Sequence, residues 1–193
     1  MHFTNKILLL LFTAYIFYQR RRPAGDETTM NPIYWKRNFE GIEIPRDQIE
    51  RGRELGTGSF GTVYAGIYNT GTRGDLPCAI KEAKNDTLRE QLLSEADLMR
   101  TIDTPHVVQL LGVVTEGFPQ FVVLELMENG DLKKYLRNLR RSPPKQNDIL
   151  LMAIQVADGM AYLSTVPNPK IIHRDLAARN CMVNEKVIGE SNF

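Results

Sequence analysis

The chain has 193 residues and a hydrophobic content of 42%, enough for one ordinary domain with a real core. Its 24 basic and 23 acidic residues leave a net charge of +1, so no global field points to nucleic acid or to an acidic substrate. Only two cysteines are present, Cys78 and Cys181, far apart in apolar runs; this excludes a disulfide framework and a zinc site and suits a reducing, cytosolic setting.

Residues Ile7 to Tyr18 are apolar except for Thr13, and the run stops at Gln19 and the arginines Arg20 to Arg22. Residues 1–22 therefore read as a membrane helix with a basic stop. Twelve helical residues reach only about 18 Å, against roughly 30 Å of bilayer hydrocarbon. A full span needs Phe3 to Asn5 as well, with Lys6 snorkelling. A secretory signal peptide accepts the length but wants its basic residues in front rather than behind. A buried core helix competes too, but the run lacks a polar face. Read as a span, it leaves everything after Arg22 in the cytosol by the positive-inside rule.

Residues 23–47 contain Asn31-Pro32, Pro45 and scattered charges without a sustained period, which reads as a mostly irregular juxtamembrane connector. The folded part is expected to begin near Gln48. Short apolar runs between turn residues predict strands near Ile49–Leu55, Gly61–Ile67, Pro77–Ala83, Val107–Val114 and Phe121–Leu126, with one helix before the fourth. After Gly130 the pattern turns helical, at Leu132–Leu139 and Ile149–Leu163, with Ser142-Pro143-Pro144 between. The expected class is α+β: a five-stranded antiparallel sheet with one helix, then a mainly helical portion.

Gly56, Gly58 and Gly61 let backbone N–H groups approach a phosphate with no Cβ in the way. A dinucleotide-binding turn would lead into a helix, whereas Thr62-Val63-Tyr64-Ala65 reads as a second strand, so the glycines cap a hairpin. Thr87-Leu88-Arg89-Glu90 has the form of a capping box, and Leu88, Leu92, Glu95, Met99 and Ile102 form one helical stripe. Glu95 thus falls on the face that should bury, and an unpaired buried charge is too costly to keep. Lys81, closing the apolar Cys78-Ala79-Ile80, is the expected partner. Both could instead be merely solvated, at the stripe's edge and the strand's mouth.

His173-Arg174-Asp175-Leu176-Ala177-Ala178-Arg179-Asn180 is a polar loop expected between two short strands, Ile171-Ile172 and Met182-Val183. Asp175 can accept a proton from a hydroxyl, and Asn180 offers a carbonyl oxygen to a hard cation such as Mg²⁺.

These residues, from Gln48 to about Gly189, resemble the protein kinase family, and within it receptor tyrosine kinases related to the insulin receptor. The resemblance implies that Gly56, Gly58 and Gly61 cover ATP, that Val63 and Ala79 flank the adenine, and that Met182 closes that pocket from below. It also implies that Lys81 holds the α- and β-phosphates and Glu95 orients it. Leu124 stands where the gatekeeper would be, Glu125 to Met127 at the hinge, and Asp131 where the ribose is reached. Asp131 should also cap the next helix. By the same resemblance residues 48–127 form an N-lobe with hinge and residues 128–193 part of a C-lobe. Ala177 at plus two from Asp175 and Arg179 at plus four match the tyrosine-kinase pattern, which implies a protein tyrosine acceptor.

Asn31-Pro32-Ile33-Tyr34 is similar to the phosphotyrosine motif that such receptors offer to adaptor domains, although Asn-Pro also starts ordinary turns. Single-pass attachment to the plasma membrane, with the kinase part cytoplasmic, and dimerisation of the full-length receptor are further implications. After Gly189 the family would supply Asp-Phe-Gly, whose aspartate holds Mg²⁺, but this chain reads Glu190-Ser191-Asn192-Phe193. Both termini read as cut. Poor solubility and little or no activity are expected of the chain alone. The alternative is a catalytically inactive, membrane-tethered module that binds nucleotide and an adaptor.

Overall fold

The computed structural model describes residues 3–9, 39–58, 61–71, 74–139, 143–168 and 170–187. Its elements are β1 (Phe3–Leu9), β2 (Ile49–Thr57), β3 (Gly61–Asn69), β4 (Asp75–Ala83), α1 (Asp86–Met99), β5 (Leu110–Val114), β6 (Phe121–Glu125), α2 (Leu132–Asn138), α3 (Gln146–Thr165) and β7 (Cys181–Val187). Single 3-10 turns stand at Arg46–Gln48 and Ala178–Asn180. The chain divides into two compact units, one carrying β2 to β6 and α1, the other β1, α2, α3, β7 and the segment Ile102–Val108.

In the first unit the sheet order is β2-β3-β4-β6-β5 and every neighbouring pair is antiparallel. Side chains alternate across a strand, and β4 shows what that does here. Cys78 and Ile80 point into a core with Ile44, Val114, Phe121 and Val123. Ala79 and Lys81 take the opposite face, together with their cross-strand neighbours Val63, Val122 and Leu124. One strand thus serves the core with its even positions and the candidate site with its odd ones.

Helix α1 buries Leu92, Glu95 and Met99 of the expected stripe and half-buries Leu88, while Ile102 lies beyond the helix; it also buries Leu93 and Ala96, outside that stripe. Its cap differs from the Thr87 box: Asn85 is the N-cap, its side-chain oxygen accepting from the Leu88 N–H at 2.9 Å. An amide carbonyl two residues earlier reaches the same first-turn donors, so the helix starts sooner. The strand expected from Val107 begins only at Leu110; Val107 and Val108 are buried but irregular, because hydrophobic burial alone does not require a ladder. The expected irregular connector is packed from Phe39 onward, and Phe39 is fully buried.

In the second unit Asp131 caps α2, accepting from the Lys134 N–H at 2.9 Å, as expected. Residue Val183 of β7 meets the loop before α2: its N–H donates to the Gly130 carbonyl and its carbonyl accepts from the Asn129 N–H. Helix α3 buries Met152, Gly159 and Leu163, while Ile149, Leu150 and Ile154 stay about half exposed. The Tyr162 hydroxyl on α3 accepts from the Asp103 N–H at 3.0 Å and ties the Ile102–Val108 segment to this unit.

The N-terminal helix expectation is corrected where the chain is described. Ile7–Leu9 belong to β1, which pairs antiparallel with β7 from Phe3↔Val187 to Leu9↔Cys181. A short apolar run with no polar phase suits a strand as well as a helix, and here a ladder partner satisfies its backbone groups. Leu10 to Arg22 lie outside the described residues, as do Asn31, Pro32 and Tyr34 and residues 188–193. Among the described residues no helix is long and apolar enough to cross a membrane.

Candidate active site

The face of the sheet that carries Lys81 is set by its neighbours. Lys81 lies opposite Val63 on β3 and Val122 on β6, and Ala79 lies opposite Ala65 and Leu124. All of these are apolar except the lysine, so the ammonium has little water about it and is buried. Its counter-charge is Glu95 on α1, with Lys81 Nζ donating to Glu95 Oε2 at 2.7 Å. Merely solvated side chains are thereby ruled out for this pair. Burial pushes the Glu95 carboxyl above its ordinary range, while the charge and hydrogen bond of Lys81 pull it back.

The three hairpin glycines separate into two kinds. A Cβ added at Gly56 or Gly58 would meet nothing within 4 Å, so open space lies over both. At Gly61 the same atom would lie 2.2 Å from the Glu82 carbonyl oxygen on β4. Close backbone packing therefore requires glycine there, independently of any phosphate. At the end of β6 the Glu125 carboxylate accepts from the Gln109 N–H at 2.8 Å, and the Glu125 N–H returns a bond to the Gln109 carbonyl at 3.0 Å.

The second unit brings Asp175, Arg179 and Asn180 together. The Ala178–Asn180 turn carries Arg179 and Asn180 back over Asp175. Arg179 Nη2 donates to Asp175 Oδ1 at 2.6 Å, and Asn180 Nδ2 donates to Asp175 Oδ2 and to the Asp175 carbonyl, each at 2.8 Å. Both carboxylate oxygens thus accept a hydrogen bond. Asn180 holds the Asp175 carboxyl below its usual range; desolvation opposes it, and Arg179 and the nearby His173 add to the lowering. Ile171 and Ile172, expected as a strand before this loop, are irregular; Met182 and Val183 are in β7 as expected. Asp131 and Met182 meet as an isolated antiparallel bridge, and Met127 is buried.

Two features of the loop carried no sequence signal. His173 is fully buried, with its carbonyl accepting from the Asp175 N–H at 2.9 Å, so it organises the turn from below. Arg174 adopts φ +61°, a left-handed conformation uncommon for a side chain of this size. A polar run in a sequence gives no sign of which member turns inward.

A buried lysine–glutamate pair behind a glycine hairpin, and an aspartate held by an arginine four and an asparagine five positions on, are parts used in phosphoryl transfer. The sequence model described as protein tyrosine and serine/threonine kinase matches residues 49–190. The chain belongs to that kinase family. It is 43% identical to the insulin receptor of Xenopus laevis over 198 residues, covering 91% of this chain and 14% of that protein. It is 42% identical to the insulin receptor-related protein of Mus musculus, covering 93% of this chain and 15% of that one. It is 41% identical to the insulin-like growth factor 1 receptor of Bos taurus, covering 91% and 30%. The chain spans less than a third of the length of each of these relatives.

Among the described residues, no group of three or more His, Cys, Asp or Glu side chains is placed to hold a metal ion. Asn180, whose amide nitrogen bonds Asp175, offers its amide oxygen to a hard cation, but one such oxygen does not make a magnesium site. No step below is therefore routed through a metal. For a nucleotide the residues do fit: a buried ammonium, a hairpin with open space over Gly56 and Gly58, and an apolar face at Val63, Ala79 and Leu124.

Proposed function

We propose that the protein acts in receptor tyrosine kinase signalling, transferring the γ-phosphoryl group of ATP to a protein tyrosine. The observation that carries this reading is the Asp175–Arg179–Asn180 cluster, together with the insulin-receptor relatives. Lys81, fixed by Glu95, would donate to the nucleotide's phosphate oxygens, and the backbone at Gly56, Gly58 and Gly61 would cover them. Val63, Ala79 and Met182 would enclose the adenine, the Glu125 to Met127 backbone would meet its edge beside the Leu124 gatekeeper, and Asp131 would bond the ribose. ATP supplies the transferable phosphoryl group.

Asp175 would accept the tyrosine hydroxyl's hydrogen bond and take its proton as the phenolic oxygen forms its bond to the γ-phosphorus and the bond from that phosphorus to the β,γ-bridging oxygen breaks, ADP leaving with the electron pair. With a pKa below its ordinary value of 3.8 it is ionised, and hence able to accept, at neutral pH. Arg179 would hold the carboxylate in place and lend a cation near the transferring group. Mg²⁺ as the usual companion of ATP, membrane attachment with the kinase part cytoplasmic, receptor dimerisation and adaptor docking at Asn31, Pro32 and Tyr34 belong to the same proposal. They rest on the receptor relatives and on sequence motifs.

The test is phosphate transfer from labelled ATP to paired tyrosine and serine peptides by the 193-residue chain. Slow labelling of tyrosine alone, absent from Asp175→Asn, is the expected result. Nucleotide binding that Lys81→Ala abolishes, with no transfer even over long incubation, would replace this reading with the inactive nucleotide-binding module.

A further inference from the structure

The stretch Ile42–Arg46 makes more contacts than a connector needs. The Ile44 N–H donates to the Val113 carbonyl at 2.7 Å, and the Val113 N–H donates to the Ile42 carbonyl at 3.0 Å, giving a parallel bridge at Glu43. This closes the outer edge of β5, which would otherwise end the sheet with unpaired backbone groups. Two charged side chains fasten the bridge. The Glu43 carboxylate accepts from the Thr115 N–H at 2.7 Å and from the Thr115 hydroxyl at 3.0 Å. Arg46 donates to the carbonyls of Glu116 and Pro119 and lays its guanidinium 4.7 Å from the Phe121 ring centre.

The fit is close. A Cβ at Gly112 would lie 2.5 Å from the Ile42 carbonyl oxygen, and one at Gly117, where φ is +77°, 3.0 Å from Arg46 Nε. Ile44 is part of the core with Ile80 and Val123, and β5 also packs against α1, which carries Glu95.

We propose that Glu43 and Arg46 form a two-point strap that holds β5, and through β5 and α1 keeps Glu95 in register with Lys81. They are positioning residues for the nucleotide-binding lysine of the function proposed above, on which this inference rests for its meaning but not for its test. Glu43 reaches β5's exit at Thr115, while Arg46 spans the turn into β6 from Glu116 to Phe121. Loosening either frees the edge strand on which α1 rests, not only the connector.

The test is amide hydrogen exchange on the full chain, comparing wild type, Glu43→Ala/Arg46→Ala and Glu43→Gln, with the thermal midpoint measured alongside. In the double variant the α1 and β5 amides should exchange about tenfold faster, the size expected from losing charged hydrogen bonds, while the β2–β3 ladder keeps its protection. Glu43→Gln retains an acceptor for Thr115 and should restore most of the α1 protection. Faster exchange confined to residues 39–48, or rising equally in β2 and β3, would overturn the strap. Because exchange is read without substrate, an inactive chain would refute the proposed function and leave this result standing.

Discussion

Glu95 and Asp175 are both carboxylates with a cationic partner at hydrogen-bond distance, yet their surroundings push them in opposite directions. Glu95, on α1, is buried against Lys81 of β4, and burial raises its pKa despite that lysine. Asp175 stands in an accessible loop, and Asn180 and Arg179 lower its pKa because their hydrogen bonds favour the charged form. The contrast shows what each pair is for. A buried pair fixes a geometry, since neither member can leave without stranding the other. An accessible one keeps a charge available for an incoming hydroxyl.

The largest expected effect breaks the buried side of that contrast. Lys81→Met should cost about 3–5 kcal/mol, because it strands the Glu95 carboxyl, and Lys81→Met/Glu95→Leu should recover most of the loss. Urea unfolding of the three chains checks both, and a single variant as stable as wild type would mean the pair is not buried in solution. Asp175→Asn should abolish transfer while lowering the thermal midpoint at neutral pH far less than Lys81→Met does.

Next comes the hairpin. Gly61→Ala drives a Cβ onto the Glu82 carbonyl and should destabilise by about 1–3 kcal/mol, whereas Gly56→Ala, facing open space, should alter nucleotide affinity more than stability. Equal losses of stability in the two variants would erase the distinction. A smaller effect lies at the start of the Glu95 helix, where Asn85→Ala should cost about 1 kcal/mol and Thr87→Ala clearly less. The unfolding midpoints decide which residue is the cap.

The gentlest probe sharpens the accessible side. Carbon-detected titration should place Asp175 below its ordinary value of 3.8, and Asn180→Ala and Arg179→Ala should each raise it, since each removes a hydrogen bond that favours the charged form. With a folded pKa below the unfolded one, Asp175 contributes stability above pH 3.8 that is lost as pH falls through the folded value. Asp175→Asn should remove that part of the acid limb.

Much of this site could be read before the fold was seen, for reasons tied to particular residues. Glu95 on an apolar helical stripe and Lys81 after Cys78-Ala79-Ile80 each needed a counter-charge, and the structure pairs them. Short apolar runs between turn residues announced β4 and β6, which are buried on both faces. Residues 42–44 gave no such signal, since a three-residue parallel bridge ended by Pro45 has no room for a period. Ile7–Leu9 misled because a run of large apolar residues suits either a helix or a strand, and its partner β7 lies more than 170 residues away in sequence. The inward turn of His173 and the left-handed Arg174 arise from packing, which no local pattern encodes.

The most direct test of the Lys81–Glu95 and Asp175 division of labour is ATP binding to the full chain by calorimetry, for wild type, Lys81→Ala, Glu95→Gln and Asp175→Asn. Saturable binding that weakens at least about tenfold in the first two variants and is unchanged in the third is the predicted result, as expected when a charged hydrogen-bond partner of the phosphates is lost or misplaced. Equal affinity in all four chains, or a loss only in Asp175→Asn, would contradict it.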